Sequence, residues 1–331
     1  MKKWLLVFVC LAVSTAVRAD FASGEEAFKN QRYSEAFQQF LPLADQRGNY
    51  REQYYVAYLY LYGLGVAKND AKGLEYLNES LKENYHMAQA LMAFLYSQGK
   101  IVPLDKKKSI DLYRQAAAQG NTSALLNLGV IYYLGDGVIR NTSKAVEYLS
   151  QIPIDKQPIA GRYLGEIYLN SGDTNLIGQA QAAYREAAEA NDMASFVALG
   201  DMYLSGRGGD QNSQTAIAYY TYAASQGYVP AQYILGILYA NGNQVARDVV
   251  EAHAWLSLAA GQKHEPAVKA LQKLKEEMTL SDVDKARQRL IDLQKNTLGQ
   301  MESPLKEQQD SVADGDGDGP RVRPIRRRRR R

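Results

Sequence analysis

A tyrosine returns along this chain at an almost fixed interval. Tyr60, Tyr96, Tyr132, Tyr168, Tyr203 and Tyr239 are separated by 36, 36, 36, 35 and 36 residues. Such a period means a stack of similar supersecondary units, none of which can bury its apolar face alone. Three residues before each Tyr stands a small residue (Ala57, Ala93, Gly129, Gly165, Gly200, Gly236), and four before stands an aliphatic one (Val56, Met92, Leu128, Leu164, Leu199, Leu235). Those offsets share one face of an α-helix. This helix A brings small residues to a close approach and fills the space beside them with its Tyr.

The punctuation repeats as well. Gly63, Gly99, Gly135, Gly206 and Gly242 follow their Tyr by three residues and Gly172 by four. Glycine takes the left-handed conformation that ends a helix. Nine residues after the Tyr come Asn69, Asp105, Asn141, Asn212 and Asp248, residues that cap the start of a second helix. Ile177 breaks that series. Helix B carries Tyr76, Leu112, Tyr148, Tyr184, Tyr219 or Trp255 at the sixteenth position, and Asn84, Gly120 and Gly227 stand where it can end. Pro153 and Pro158 fall where the third helix B ends and the next helix A begins, predicting a shortened helix and a bend over about 150–180.

The expected fold is all-α: a right-handed α/α superhelix of about six to seven helix pairs, with a disordered C-terminal tail. Its parts are a signal peptide (1–19), an N-terminal capping pair (20–51), six repeats (52–265), closing helices (266–298) and the tail (299–331). In the closing pair Ala267, Leu271 and Leu274 form one face, and Ser281 is expected to cap the last helix. The leader reading rests on Lys2 and Lys3, the apolar run Trp4 to Val17 and the small residues around Ala19, with cleavage expected before Asp20. That predicts export to the periplasm, or secretion. Mean hydropathy of −0.38 excludes a chain that crosses a membrane many times. Cys10, the one cysteine, lies in the leader, so no disulfide framework is available.

The stretches LGVIYYLGDGV (128–138) with AVEYL (145–149), LGDMYLSGRGG (199–209) with AIAYYTYAASQG (216–227), and LGILYANGN (235–243) with AHAWLSLAAG (252–261) resemble the Sel-one-like repeat, a relative of the tetratricopeptide repeat. The resemblance covers about two-thirds of the chain. It implies an α-solenoid acting as an adaptor, not an enzyme, of a secreted bacterial kind that scaffolds envelope complexes. Cys-rich secreted members have been linked to penicillin-binding chemistry, but this chain lacks those cysteines and the S-x-x-K, S-D-N and K-T-G set. In this architecture offsets −6, −2 and +2 from the Tyr line the concave face. They place Tyr54, Tyr58, Tyr62, Phe94, Arg162, Glu166, Asp201 and Tyr233 as candidate contacts for an envelope protein or peptide.

No catalytic residues, metal ligands or cofactor are expected. His86, His253 and His264 lack metal-ligand spacing, and the Asp-Gly run 314–319 has Ile325 where a calcium loop needs Glu. The tail ends differently. Residues 20–299 carry 27 Lys and Arg against 30 Asp and Glu, while 320–331 carry eight Arg and no acid. Arg321, Arg323, Arg326, Arg327, Arg328, Arg329, Arg330 and Arg331 form a candidate site for anionic polysaccharide or lipid. In an exported chain no nucleic acid is expected as partner.

Overall fold

The computed structural model describes residues 20–46, 48–297 and 303–305. The expected leader and the arginine run lie outside the described residues. Among the described residues there are sixteen α-helices and no strand. They divide into two compact units, 1–141 and 142–331.

The first unit holds α1 (Phe21–Lys29), α2 (Tyr33–Ala44), α3 (Tyr50–Tyr62), α4 (Asp70–Lys82), α5 (His86–Gln98), α6 (Lys106–Ala118) and α7 (Thr122–Leu134). The second holds α8 (Thr142–Leu149), α9 (Pro158–Leu169), α10 (Ile177–Glu189), α11 (Met193–Ser205), α12 (Ser213–Ser225), α13 (Val229–Asn241), α14 (Val249–Gly261), α15 (Glu265–Glu277) and α16 (Leu280–Asp292). Most of these helices are 13 residues long, and within each unit most pack on the next helix in sequence, while α16 packs on α14.

One backbone bond recurs at the hinge of the hairpins. The N–H of the residue nine after the repeat Tyr donates to that tyrosine's carbonyl: Asn69 to Tyr60, Asp105 to Tyr96, Asn141 to Tyr132, Asn212 to Tyr203 and Asp248 to Tyr239, all at 2.8–3.0 Å. The Tyr carbonyl is one of the four that helix A leaves unpaired at its C-terminus. Between them Gly63, Gly99, Gly135, Gly206 and Gly242 take φ of 64–78° as C-caps. The Asn or Asp side chain then caps helix B: Asn69 Oδ1 accepts from Lys72 N–H at 3.0 Å, Asp105 from Lys108 at 2.9 Å and Asn212 from Thr215 at 3.0 Å.

The fourth pair departs from this. α9 ends on Asn170, and Asp173 caps a single 3₁₀ turn, Thr174–Leu176, before α10 begins without a side-chain cap. The helix before it, α8, has eight residues, and Pro158 opens α9 at its first turn, where a missing N–H costs nothing. Two expectations shift. The last helix is capped by Thr279, whose side chain and that of Asp282 bond each other's backbone N–H, so Ser281 lies inside the helix. Leu305, assigned by sequence to the free tail, is 4% exposed in the core of the second unit with Leu293 and Phe196.

Where the small residue three before the Tyr is Gly165, Gly200 or Gly236, it lies against a side chain of helix B. A Cβ on Gly165 would lie 2.8 Å from the Tyr184 ring, and one on Gly200 2.6 Å from the Tyr220 ring. Tyr220 is fully buried, and its hydroxyl donates to Asp201 Oδ1 at 2.6 Å, so the ring cannot retreat. Gly200→Ala gains about 1 kcal/mol of helix propensity, but overpacking a fixed ring costs about 1–3 kcal/mol. Net destabilisation is expected, read as a lower urea midpoint; an unchanged or higher midpoint would refute this account of the packing.

Candidate functional site

The eight residues marked by sequence separate into two groups. In the first unit, Tyr54, Tyr58 and Tyr62 climb one side of α3 with ring centroids 6.3 and 4.5 Å apart. Tyr54 was expected on an open face and is instead 8% exposed, because Tyr58 and Tyr85 pack against its ring. Tyr58 is half-buried against Phe28 at 5.6 Å. Tyr62 and, on α5, Phe94 are each 40% exposed.

Tyr54, Tyr62 and Phe94 line one cleft of about 270 Å³. Its walls come from three successive A helices: α3, α5 with Met87 and Leu91, and α7 with Ser123 and Asn127. The buried Tyr113, from α6, closes the floor. Asn121 stands at one end, capping α7 through Ala124 N–H at 2.8 Å while its amide lies 3.0 Å from His86 Nδ1. Asn127 donates to Ser123 O at 2.8 Å. The cleft is apolar and aromatic with amide groups on one wall, a surface suited to a peptide that brings both side chains and backbone.

Burial keeps its phenols neutral. It pushes Tyr54 far above the ordinary tyrosine range and Tyr113 up to about 12, with Tyr62 adding to the latter and a Ser97 bond opposing it. These hydroxyls stay protonated donors throughout physiological pH.

In the second unit the marked residues serve the fold and share no cleft found there. Arg162 Nε lies 3.1 Å from Asp192, which caps α11 by accepting from Ser195 N–H. Asp201 is exposed, but one of its oxygens holds Tyr220. Tyr233 packs on the His264 ring at 4.9 Å. Glu166 is half-buried one turn beyond Arg162. Met87, Tyr113, Asn121 and Asn127 were missed by the sequence reading. Tyr113 sits seventeen residues after Tyr96, one past the helix B stripe, which is the signal that could have found it.

Among the described residues no three His, Cys, Asp or Glu side chains gather as a metal ion requires, and no helix is long and apolar enough to cross a membrane. His253 is buried in α14, and that burial, with Lys275 nearby, holds its pKa below the usual histidine range.

A raised tyrosine pKa stabilises the fold below pH 10 and is lost as the unfolded chain ionises first. Stability is therefore expected to fall between pH 10 and about 12. Tyr113→Phe should flatten that fall in urea titrations while removing part of the late phenolate absorbance; an equally steep fall in the variant would refute the assignment.

The Sel1 repeat model matches residues 53–85, 86–121, 122–151, 197–228 and 229–264, about half of the chain. A crystal structure of a Sel1 repeat protein from Oxalobacter formigenes superposes with a TM-score of 0.62 at 26% identity, over 73% of this chain and all of that one. An uncharacterised protein of Neisseria meningitidis serogroup B is 28% identical over 68% of this chain and 46% of its own length. An exopolysaccharide production negative regulator of Rhizobium meliloti is 28% identical over 50% of this chain and 68% of its own. This chain thus spans under half of the Neisseria relative. The unmatched interval, 152–196, contains the fourth pair, where the glycine and cap pattern fails. Sel1 repeat proteins generally mediate protein–protein interaction on a fold that is typically non-catalytic. With five matched repeats and the hairpin geometry they predict, this chain belongs to the Sel1 repeat family.

Proposed function

We propose that this protein is a non-catalytic adaptor of the bacterial cell envelope that holds a partner protein or peptide in the α3–α5–α7 cleft. The observation that carries the reading is the exposed pair Tyr62 and Phe94 over a floor of neutral, buried Tyr54 and Tyr113. Large aromatics beside water-excluding walls are the usual anchors of protein interfaces. The family's general role in protein–protein interaction supports the class of partner.

Location belongs to the same proposal. The basic start, apolar run and small residues of 1–19 support export, and the Rhizobium relative is named for a role in exopolysaccharide production. An adaptor in the envelope would bring together proteins that build or sense such material. The eight arginines of 320–331 support a second attachment, to anionic polysaccharide or lipid, and this one would weaken steeply with salt.

The test is cross-linking capture from cells, with the tag inserted after residue 20 and washes at low and high salt. A protein retained at high salt by the wild type is expected to be lost about tenfold or more from the Tyr62→Ala, Phe94→Ala double variant, as removing two anchors implies. Both residues are exposed, so the fold should survive, checked by circular dichroism. Retention by the double variant would refute the cleft as the site. Recovery of the protein only from the cytosol, with its N-terminal 19 residues intact, would refute the envelope reading.

A further inference from the structure

Three A helices carry a glutamine seven residues before the repeat tyrosine: Gln53 on α3, Gln89 on α5 and Gln232 on α13. All three are buried. Each uses its amide hydrogens on the end of the preceding helix pair. Gln53 Nε2 donates to Ala44 O at 3.2 Å, Gln232 Nε2 to Ala224 O at 3.1 Å, and Gln89 Nε2 to Asn84 Oδ1 at 2.7 Å. The backbone carbonyls fix which end of the Gln53 and Gln232 amides is nitrogen, and Gln89 is fixed through Gln119, whose Nε2 also donates to the Asn84 carbonyl at 3.0 Å. The oxygen then faces the other way and needs a donor of its own.

Two of the three receive one from the same place in the repeat. Gln119 Nε2 donates to Gln89 Oε1 at 2.9 Å, and Gln262 Nε2 donates to Gln232 Oε1 at 3.1 Å. Both donors lie 30 residues on and are the C-cap residues of α6 and α14. Thirty residues after Gln53 stands Glu83, the C-cap of α4. A carboxylate has no hydrogen to give. Gln53 Oε1 is buried with no hydrogen-bond partner among the described residues.

The space beside this junction is a cleft of about 470 Å³, separate from the aromatic one. Gln53 and Glu83 line it with Asp45, Glu75, Tyr76 and Glu79. Asp45 accepts from the Tyr76 hydroxyl at 2.7 Å, and Glu79 pairs with Lys82. Glu75 and Glu83 remain as exposed carboxylates. Glu83 also sits at the negative end of the α4 dipole, where an acid is disfavoured and a cation welcome.

We propose that this cleft binds a guanidinium group of an arginine-rich peptide segment, donating at once to Gln53 Oε1 and to the Glu83 carboxylate. Gln53 Oε1 is itself buried, so seating the guanidinium requires a lining side chain to give way, and Glu83, exposed at the rim, has the room to do so. A guanidinium suits the pair because it presents several N–H donors in a rigid fork and keeps its charge. It does at this junction what Gln119 and Gln262 do at theirs, and adds the charge that the surrounding acids require. Two sources carry that chemistry: this chain's own residues 320–331, with eight arginines and no acid, and a basic segment of another protein.

The test titrates fluorescein-labelled hexa-arginine into the full-length protein and follows anisotropy. The same titration uses full-length protein in which Arg321, Arg323 and Arg326 to Arg331 are serine. In that second background, Glu83→Gln is compared with Glu79→Gln. Glu83→Gln supplies the missing amide, so it should weaken peptide binding about tenfold or more and raise the melting temperature. Glu79→Gln removes the same charge but leaves Gln53 Oε1 orphaned; an exposed, already paired acid should cost about threefold at most. Equal losses in the two variants would overturn the proposal, reducing it to general acidity. Failure of the peptide to bind the protein whose tail arginines are serine would also overturn it. Given binding, a weaker signal in the wild type identifies the chain's own arginines as the occupant, and an equal signal identifies a partner's.

Discussion

The amide–carbonyl bond that closes each regular hairpin fixes more of this protein than any core contact. It takes a carbonyl that helix A cannot pair internally and joins it to the residue that caps helix B. Glycine at positive φ makes the approach possible, and the Asn or Asp side chain then aligns the second helix. With that joint set, the small residue on helix A meets a bulky residue on helix B in the fifth and sixth pairs. Gly200 against Tyr220 and Gly236 against Leu256 are two forms of one fit. Within each unit a hairpin then presents an unburied face to the next, and the packing follows between nearest neighbours.

Most of that joint was legible in the sequence, because caps and glycines are local demands that a period makes visible. The fourth pair was readable as an exception for the same reason: Ile177 cannot cap, and Asp173 does so only for a 3₁₀ turn. The last helix was misread by two residues. Ser281 looks like a cap, but Thr279 with Asp282 satisfies both backbone groups.

The site was less legible, since exposure depends on what neighbouring pairs bring. Tyr54 has the offset of an open position, yet Tyr85, from the turn before α5, covers it. Arg162 and Asp201 share helical faces with Tyr54 and Tyr58 but are occupied by Asp192 and Tyr220. Periodicity assigns a face; it does not say which partner waits there. Buried glutamines were passed over because a polar residue at a core register carries no hydrophobic signal. Their meaning appears only when residues 30 apart are read together, and Glu83 then stands out by lacking one hydrogen.

Leu305 carries a consequence of another kind. Its burial beside Leu293 and Phe196 is worth about 2 kcal/mol on the scale of a buried leucine. A chain cut after residue 299 would lose that plug and bare an aromatic notch around Phe196 and Tyr222. Shortened forms would then carry a sticky end that the whole protein does not have, and self-association of such a fragment would be an artefact of where it was cut.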